Sequence, residues 1–121
     1  SAASDVYKRQ PLVSMYKKAS ASNIPTQLIQ VVNNEKERPF AEELDTITSK
    51  YEQAHLHLHV KDQEGYLEAK ELEEYLKNKP EVYICGGTSF LQSIINALKS
   101  LDYDMNSVHF ETFVPRLSVQ I

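Results

Sequence analysis

Apolar residues recur along this chain in two rhythms, one of three to four residues and one of two, and each change of rhythm marks an element boundary. Leu12, Met15, Tyr16 and Ala19 stand at helical spacing behind Pro11, and a first-turn proline suits a helix start because its missing N–H has no partner there. That helix is expected to end across residues 20–24, since Pro25 cannot continue it. Leu28, Ile29, Val31 and Val32 form a β-branched, mostly apolar run, the pattern of a strand covered on both faces. Asn33 and Asn34 break it. Phe40, Leu44, Ile47 and Tyr51 then give a second helix one apolar face. From Ala54 to Val60 the alternation is strict, with Leu56, Leu58 and Val60 set against His55, His57 and His59. A polar loop through Gly65 leads to a helix carrying Leu72, Tyr75 and Leu76, and Pro80 precedes a strand over 82–85. Phe90, Leu91, Ile94, Ile95, Leu98 and Leu101 make the clearest amphipathic stripe, and a last strand is expected over 107–113.

Helix and strand thus alternate, helix first, four times. Such alternation implies parallel strands joined by right-handed crossovers, an open α/β sheet with helices on both faces. At 121 residues the chain fits one domain with a single core. A net charge of −4 gives nonspecific nucleic-acid binding no electrostatic support. No apolar run approaches the roughly 20 residues that span a bilayer, and nothing resembles a secretory signal. One cysteine excludes an internal disulfide and a multi-cysteine metal site, so a reducing cytoplasmic setting is the default.

Chemistry concentrates at two strand ends. Val82-Tyr83-Ile84-Cys85 breaks at Gly86-Gly87 and restarts at Thr88 as a helix, and His109-Phe110 ends in Glu111-Thr112-Phe113. Open parallel sheets bind nucleotides outside the carboxyl ends of their strands. Gly86 lets a ligand approach the backbone, or simply shapes the turn together with Gly87. Thr88 is expected to cap the following helix through its hydroxyl. Cys85 read alone is a small buried hydrophobe; Glu111 is a solvated acid, and Phe113 a core or interface aromatic. After the second predicted strand, Asn33, Glu35 and Arg38 offer an acid for a ribose hydroxyl and a cation for a 2′-phosphate, or form a solvated loop. His55, His57 and His59 share one strand face at a spacing able to hold zinc, but an edge strand turns such polar residues outward, and no metal site is assigned.

Cys85-Gly86, the following Phe90-Leu91, and the Phe110-Glu111-Thr112-Phe113 ending together resemble the pyridine-nucleotide-binding domain of the ferredoxin–NADP reductase superfamily, closest to flavohaemoglobin-type reductases. Pro11-Leu12-Val13-Ser14-Met15 is also similar to the segment directly after that family's glycine-rich loop, so the resemblance spans residues 11–115. Gly87 departs from the family's proline, and Val114-Pro115 from its Gly-Pro. The resemblance implies a Rossmann-like sheet of order 3-2-1-4-5. It implies Cys85 and Glu111 beside the reacting rings, with Gly86, Gly87, Thr88 and Phe90 around the nicotinamide end. It also implies Phe113 on the flavin face, and Asn33, Glu35 and Arg38 near the adenosine ribose.

The implied function is NAD(P)H binding, NADH slightly favoured, in an FAD-dependent oxidoreductase that passes hydride to flavin and electrons onward to a haem, iron–sulfur or other acceptor. The alternative is a non-catalytic α/β nucleotide-binding or interaction module. The implied partners are the dinucleotide, an FAD-binding domain of the same parent chain and the electron acceptor, with neither nucleic acid nor membrane. Residues 1–10 resemble a translated sequencing adapter, whose terminal codons spell Asp5 to Gln10, leaving 11–121 as a truncated NAD(P)-binding domain. On that expectation the first strand and its glycine-rich loop lie upstream of Pro11. The sheet then has a central gap, or residues 4–9 fill it poorly, and the chain alone is marginally stable, with weak or no dinucleotide affinity and no turnover.

Overall fold

Seven consecutive buried residues, Thr26–Val32 (β1), answer the β-branched run and place this strand inside the sheet with a neighbour on each side. The computed structural model describes residues 11–65 and 67–112, so the lead-in 1–10 and Phe113 lie outside the described residues. In chain order the elements are α1 (Leu12–Ala21), β1, α2 (Ala41–Lys50), β2 (Ala54–Val60), a one-turn α3 (Lys61–Glu64), α4 (Ala69–Tyr75), β3 (Glu81–Gly86), α5 (Thr88–Ser100) and β4 (Val108–Thr112). Short 3-10 turns occupy Glu35–Glu37 and Met105–Ser107. The four strands are parallel in the order β2-β1-β3-β4. This is the expected doubly wound α/β sheet.

The two sheet faces carry separate cores because side chains alternate along each strand. On one face, Leu28, Tyr83 and Cys85 pack under Leu12, Tyr16 and Ala19 of α1 and Leu44 and Ile47 of α2. On the other, Ile29, Val31, Val82, Ile84 and Val108 pack under Leu72 of α4 and Phe90, Leu91, Ile94 and Leu98 of α5. The apolar stripe of α5 is therefore what docks it, at about 1.5–3 kcal/mol for each large side chain removed from water.

The strand order equals 3-2-1-4-5 with its central member left out, yet the opening anticipated at that centre is closed. β1 pairs directly with β3 from Thr26↔Glu81 to Gln30↔Cys85. Two unpaired strand edges there would leave buried donors and acceptors unsatisfied at about 1–3 kcal/mol each. Direct pairing removes that cost.

Two other expectations are corrected. Phe40 is not part of the apolar face of α2; it sits before the helix with φ 55° and is 46% exposed. The histidines of β2 do not all face water either, because α4 covers their face. Only His55 is exposed, His57 is half-buried and stacks on Tyr75 at 4.3 Å, and His59 is fully buried.

Candidate functional site at the carboxyl edge of the sheet

Parallel strands deliver all their carboxyl ends to one edge, and this edge gathers most of the residues singled out from the sequence. Register pairs Cys85 of β3 with Glu111 of β4, and Gly86 with Thr112. Arg38 donates to Gln30, the β1 residue that pairs with Cys85, and its charge and that of Glu111 both act on Cys85. Cys85, Glu111 and Arg38 thus meet on the α1 and α2 face. Thr88 and Phe90 belong instead to α5, on the opposite face, and Asn33 and Glu35 lie toward α3.

Each of these side chains has a definite occupation. Cys85 is 0% exposed within the core, and burial pushes its thiol up to about 12, with Glu111 adding to the rise and Arg38 opposing it. A protonated, enclosed thiol is a packing group, not a nucleophile. Native protein at pH 8 is therefore expected to resist alkylation by iodoacetamide and to react promptly in denaturing urea; fast native labelling would contradict the placement. The raised value carries a sign as well. Stability tied to this thiol is present below the unfolded value near pH 9 and declines as pH rises toward 12.

Glu111 accepts a hydrogen bond at Oε1 from the backbone N–H of Leu12, 3.1 Å away and 99 residues earlier in sequence. Pro11, the N-cap of α1, has no side-chain cap bond, and the first turn holds no acid. Glu111 supplies both functions from β4, satisfying one of the helix's open donors and opposing its dipole.

Arg38 is fully engaged. Its Nε donates to Gln30 Oε1 at 2.8 Å, and its two terminal nitrogens clasp Asp45 at 3.0 and 2.9 Å. Gln30 is itself fully buried and donates to the Pro39 carbonyl at 2.9 Å. Arg38→Ala is expected to cost about 1–3 kcal/mol, because it leaves the Gln30 oxygen buried without its donor. Asp45→Ala, which removes only an exposed partner, should cost no more than about 1 kcal/mol. Urea midpoints check both, and equal losses would show that Gln30 is not what Arg38 holds. The buried amide within a β-branched run was the signal for this anchor, and sequence reasoning passed over it.

The glycine turn is more specific than expected. A Cβ at Gly86 would lie 3.0 Å from the Val31 carbonyl oxygen and 3.2 Å from Val31 Cβ, so its lack of a side chain serves strand packing. A Cβ at Gly87 would meet only Phe90, at 3.8 Å. Gly87, not Thr88, is the N-cap of α5, and no side chain caps this end. The cap expected from Thr88 is absent because Thr88 is already the first helical residue, where its hydroxyl cannot reach back to the open amides. Phe90 is 9% exposed, held in the core, with Lys61 Nζ 5.3 Å above its ring. Asn33 accepts from the Asp62 N–H through its carbonyl at 3.0 Å, and the exposed Glu35 accepts from Gln63 at 3.3 Å. Among the described residues no helix is long and apolar enough to cross a membrane.

No family model matches the chain. Its fold recurs in the flavohem-like FAD/NAD-binding domain of nitric oxide dioxygenase from Vibrio cholerae O1 biovar El Tor, with TM-score 0.55 and 21% identity over 76% of this chain and 52% of that one. A ferredoxin-NADP+ reductase from Plasmodium falciparum aligns with TM-score 0.49 and 17% identity over 79% and 54%. The chain spans about half the length of the solved structures it matches. What the first likeness shows is a shared α/β fold, that of part of an FAD/NAD-binding domain.

Proposed function

We propose that this chain is the NAD(P)H-binding part of an FAD-dependent oxidoreductase in the ferredoxin–NADP reductase superfamily, of the flavohaemoglobin-reductase kind. The observation that carries the reading is the meeting of Cys85, Glu111 and Arg38 with the Gly86-Gly87 turn at the carboxyl edge of a parallel sheet. That edge is where this class of sheet takes nucleotides.

The residues fit a dinucleotide. The start of α5 presents backbone amides with no side-chain cap and no acid in its first turn, a setting that favours an anionic group. Glu35, exposed in the 3-10 turn that follows β1, would accept from a ribose hydroxyl, with Asn33 nearby in sequence. Arg38 is clasped by Asp45, so a 2′-phosphate has to compete with a bidentate carboxylate; this favours NADH over NADPH. Gly86 and Gly87 with Thr88 form the floor of the nicotinamide end. Cys85 and Phe90 support that floor from the two cores, and Glu111 sets the height of α1 against it. Phe113 would follow Thr112 on the flavin side. Bound nicotinamide supplies a hydride and flavin receives it, while the protein orients the two rings and excludes water. The flavin domain and the electron acceptor belong to the rest of such an enzyme, working in a reducing cytoplasm.

A second reading, a non-catalytic α/β binding module, draws on one observation: Cys85 is sealed in the core and Glu111 already serves α1. Joining the chain to a flavin-binding domain and following flavin bleaching by NADH and NADPH under anaerobic conditions separates the two. Bleaching that is faster with NADH and is slowed by Glu111→Ala supports the reductase reading. Bleaching indifferent to Glu111→Ala removes the assigned site.

A further inference from the structure

The β2 histidines, which have no part in the carboxyl-edge site, converge with a carboxylate under α4. His59 is 0% exposed, and its Nε2 lies 2.7 Å from the Gly65 carbonyl oxygen. A carbonyl only accepts, so Nε2 carries the proton and, in the neutral ring, Nδ1 presents its lone pair. That lone pair has no hydrogen-bond partner among the described residues and faces Glu64 Oε1 at 3.7 Å. A lone pair set toward a carboxylate is repulsive unless a proton or a metal cation lies between them, and 3.7 Å is too long for a hydrogen bond. It is close to the ~3.3 Å that separates neighbouring ligands at about 2.0–2.1 Å around a tetrahedral zinc ion.

A third donor completes the arrangement. His57 Nε2 is buried without a partner among the described residues, and its ring is held by stacking on Tyr75 at 4.3 Å and 24°. One ligand atom from each of His57, His59 and Glu64 lies within 4.8 Å of the other two. Supporting contacts orient two of the three: the Gly65 carbonyl fixes the His59 ring, and the Val60 N–H donates to Glu64 Oε2 at 3.0 Å. Metal-bound histidines and carboxylates are typically steadied in this way. Glu64 is exposed on the one-turn α3, so it is the ligand best able to move inward.

We propose that His57 Nε2, His59 Nδ1 and Glu64 Oε1 form a site for a borderline divalent cation, zinc foremost, with a fourth position for water or an external ligand. Two imidazoles with one carboxylate suit zinc and its neighbours; magnesium and calcium prefer all-oxygen shells. The ion would tie the edge strand β2 to α3 and stabilise the fold in proportion to its affinity.

Calorimetric titration of the 121-residue chain, without an affinity tag, with zinc chloride tests this, paired with the cobalt(II) ligand-field spectrum. About one equivalent of zinc should bind and raise the melting temperature, and cobalt(II) should give the intense bands of a four-coordinate centre, while magnesium chloride neither binds nor raises the melting temperature. His57→Phe keeps the ring stacked on Tyr75, and Glu64→Gln keeps an acceptor for Val60. Each should weaken zinc at least ~10-fold with the metal-free unfolding curve little changed. His55→Ala, an exposed neighbour on the same strand, should leave binding intact. Zinc bound equally by wild type, His57→Phe and Glu64→Gln, or a loss as large in His55→Ala, overturns the site.

Discussion

Gly86→Val is expected to destabilise the fold by about 3 kcal/mol or more, whereas Gly87→Ala at the next position should change stability by no more than about 0.5 kcal/mol either way. The difference lies in what a side chain meets. At Gly86 the first added carbon already presses on the Val31 carbonyl oxygen at 3.0 Å. Val31 is 2% exposed on the central strand β1, so its backbone cannot yield without disturbing the pairing on both sides. Gly86→Ala should therefore cost about 1–3 kcal/mol, and the two further methyls of valine add to that. At Gly87 the backbone has φ −73°, open to any residue, and the nearest atom is an ordinary 3.8 Å away. There the change restricts the unfolded chain, a gain offset by the poorer N-cap that alanine makes at the start of α5. Urea midpoints of the three variants decide the matter. Gly86→Ala as stable as Gly87→Ala would mean that the close approach of β1 and β3 is not as described.

Tyr16→Ala should cost about 3–5 kcal/mol, as full truncation of a large buried aromatic does. Tyr16 is 0% exposed and packs at 6.1 Å, tilted, against Tyr83 on β3. Its hydroxyl lies 2.6 Å from Thr48 Oγ1, which itself donates to the Leu44 carbonyl at 2.8 Å, so Tyr16 is the donor in this pair. The side chain thus ties α1 to both the sheet and α2. Tyr16→Phe keeps the packing and loses one hydrogen bond, at about 1 kcal/mol. Truncation should also release the start of α1 from Glu111, visible as faster amide exchange at Leu12. A loss below ~1 kcal/mol for Tyr16→Ala would show that α1 is not docked where it is placed.

These residues also show what the chain's pattern disclosed. The stripe from Phe90 to Leu98 and the unbroken apolar run of β1 announced a helix and an inner strand, because burial on one or both faces leaves a period in the sequence. The parallel order followed from alternation. Period alone did not tell that the His57 and His59 face of β2 is covered, since alternation looks the same whether the polar face meets water or a short helix such as α4. Nor did it disclose that Glu111 caps α1 across 99 residues, or that Gln30 anchors Arg38; both depend on which strands become neighbours. Thr88 misled for a local reason. Cap preference is shared by adjacent positions, and the chain placed glycine there instead.

The central claim is that a nicotinamide dinucleotide binds at the carboxyl edge of this sheet. Amide NMR of the full chain, titrated into the millimolar range with NADH and with NADPH, tests it most directly. The account predicts saturable shifts with NADH at residues 33–38, at Gly86, Gly87 and Thr88, and at Glu111, with weaker binding of NADPH. The amino-terminal strand ends near Thr26 and Glu81 should stay still. No saturable shift at the carboxyl edge, or shifts centred on the opposite edge, would contradict it.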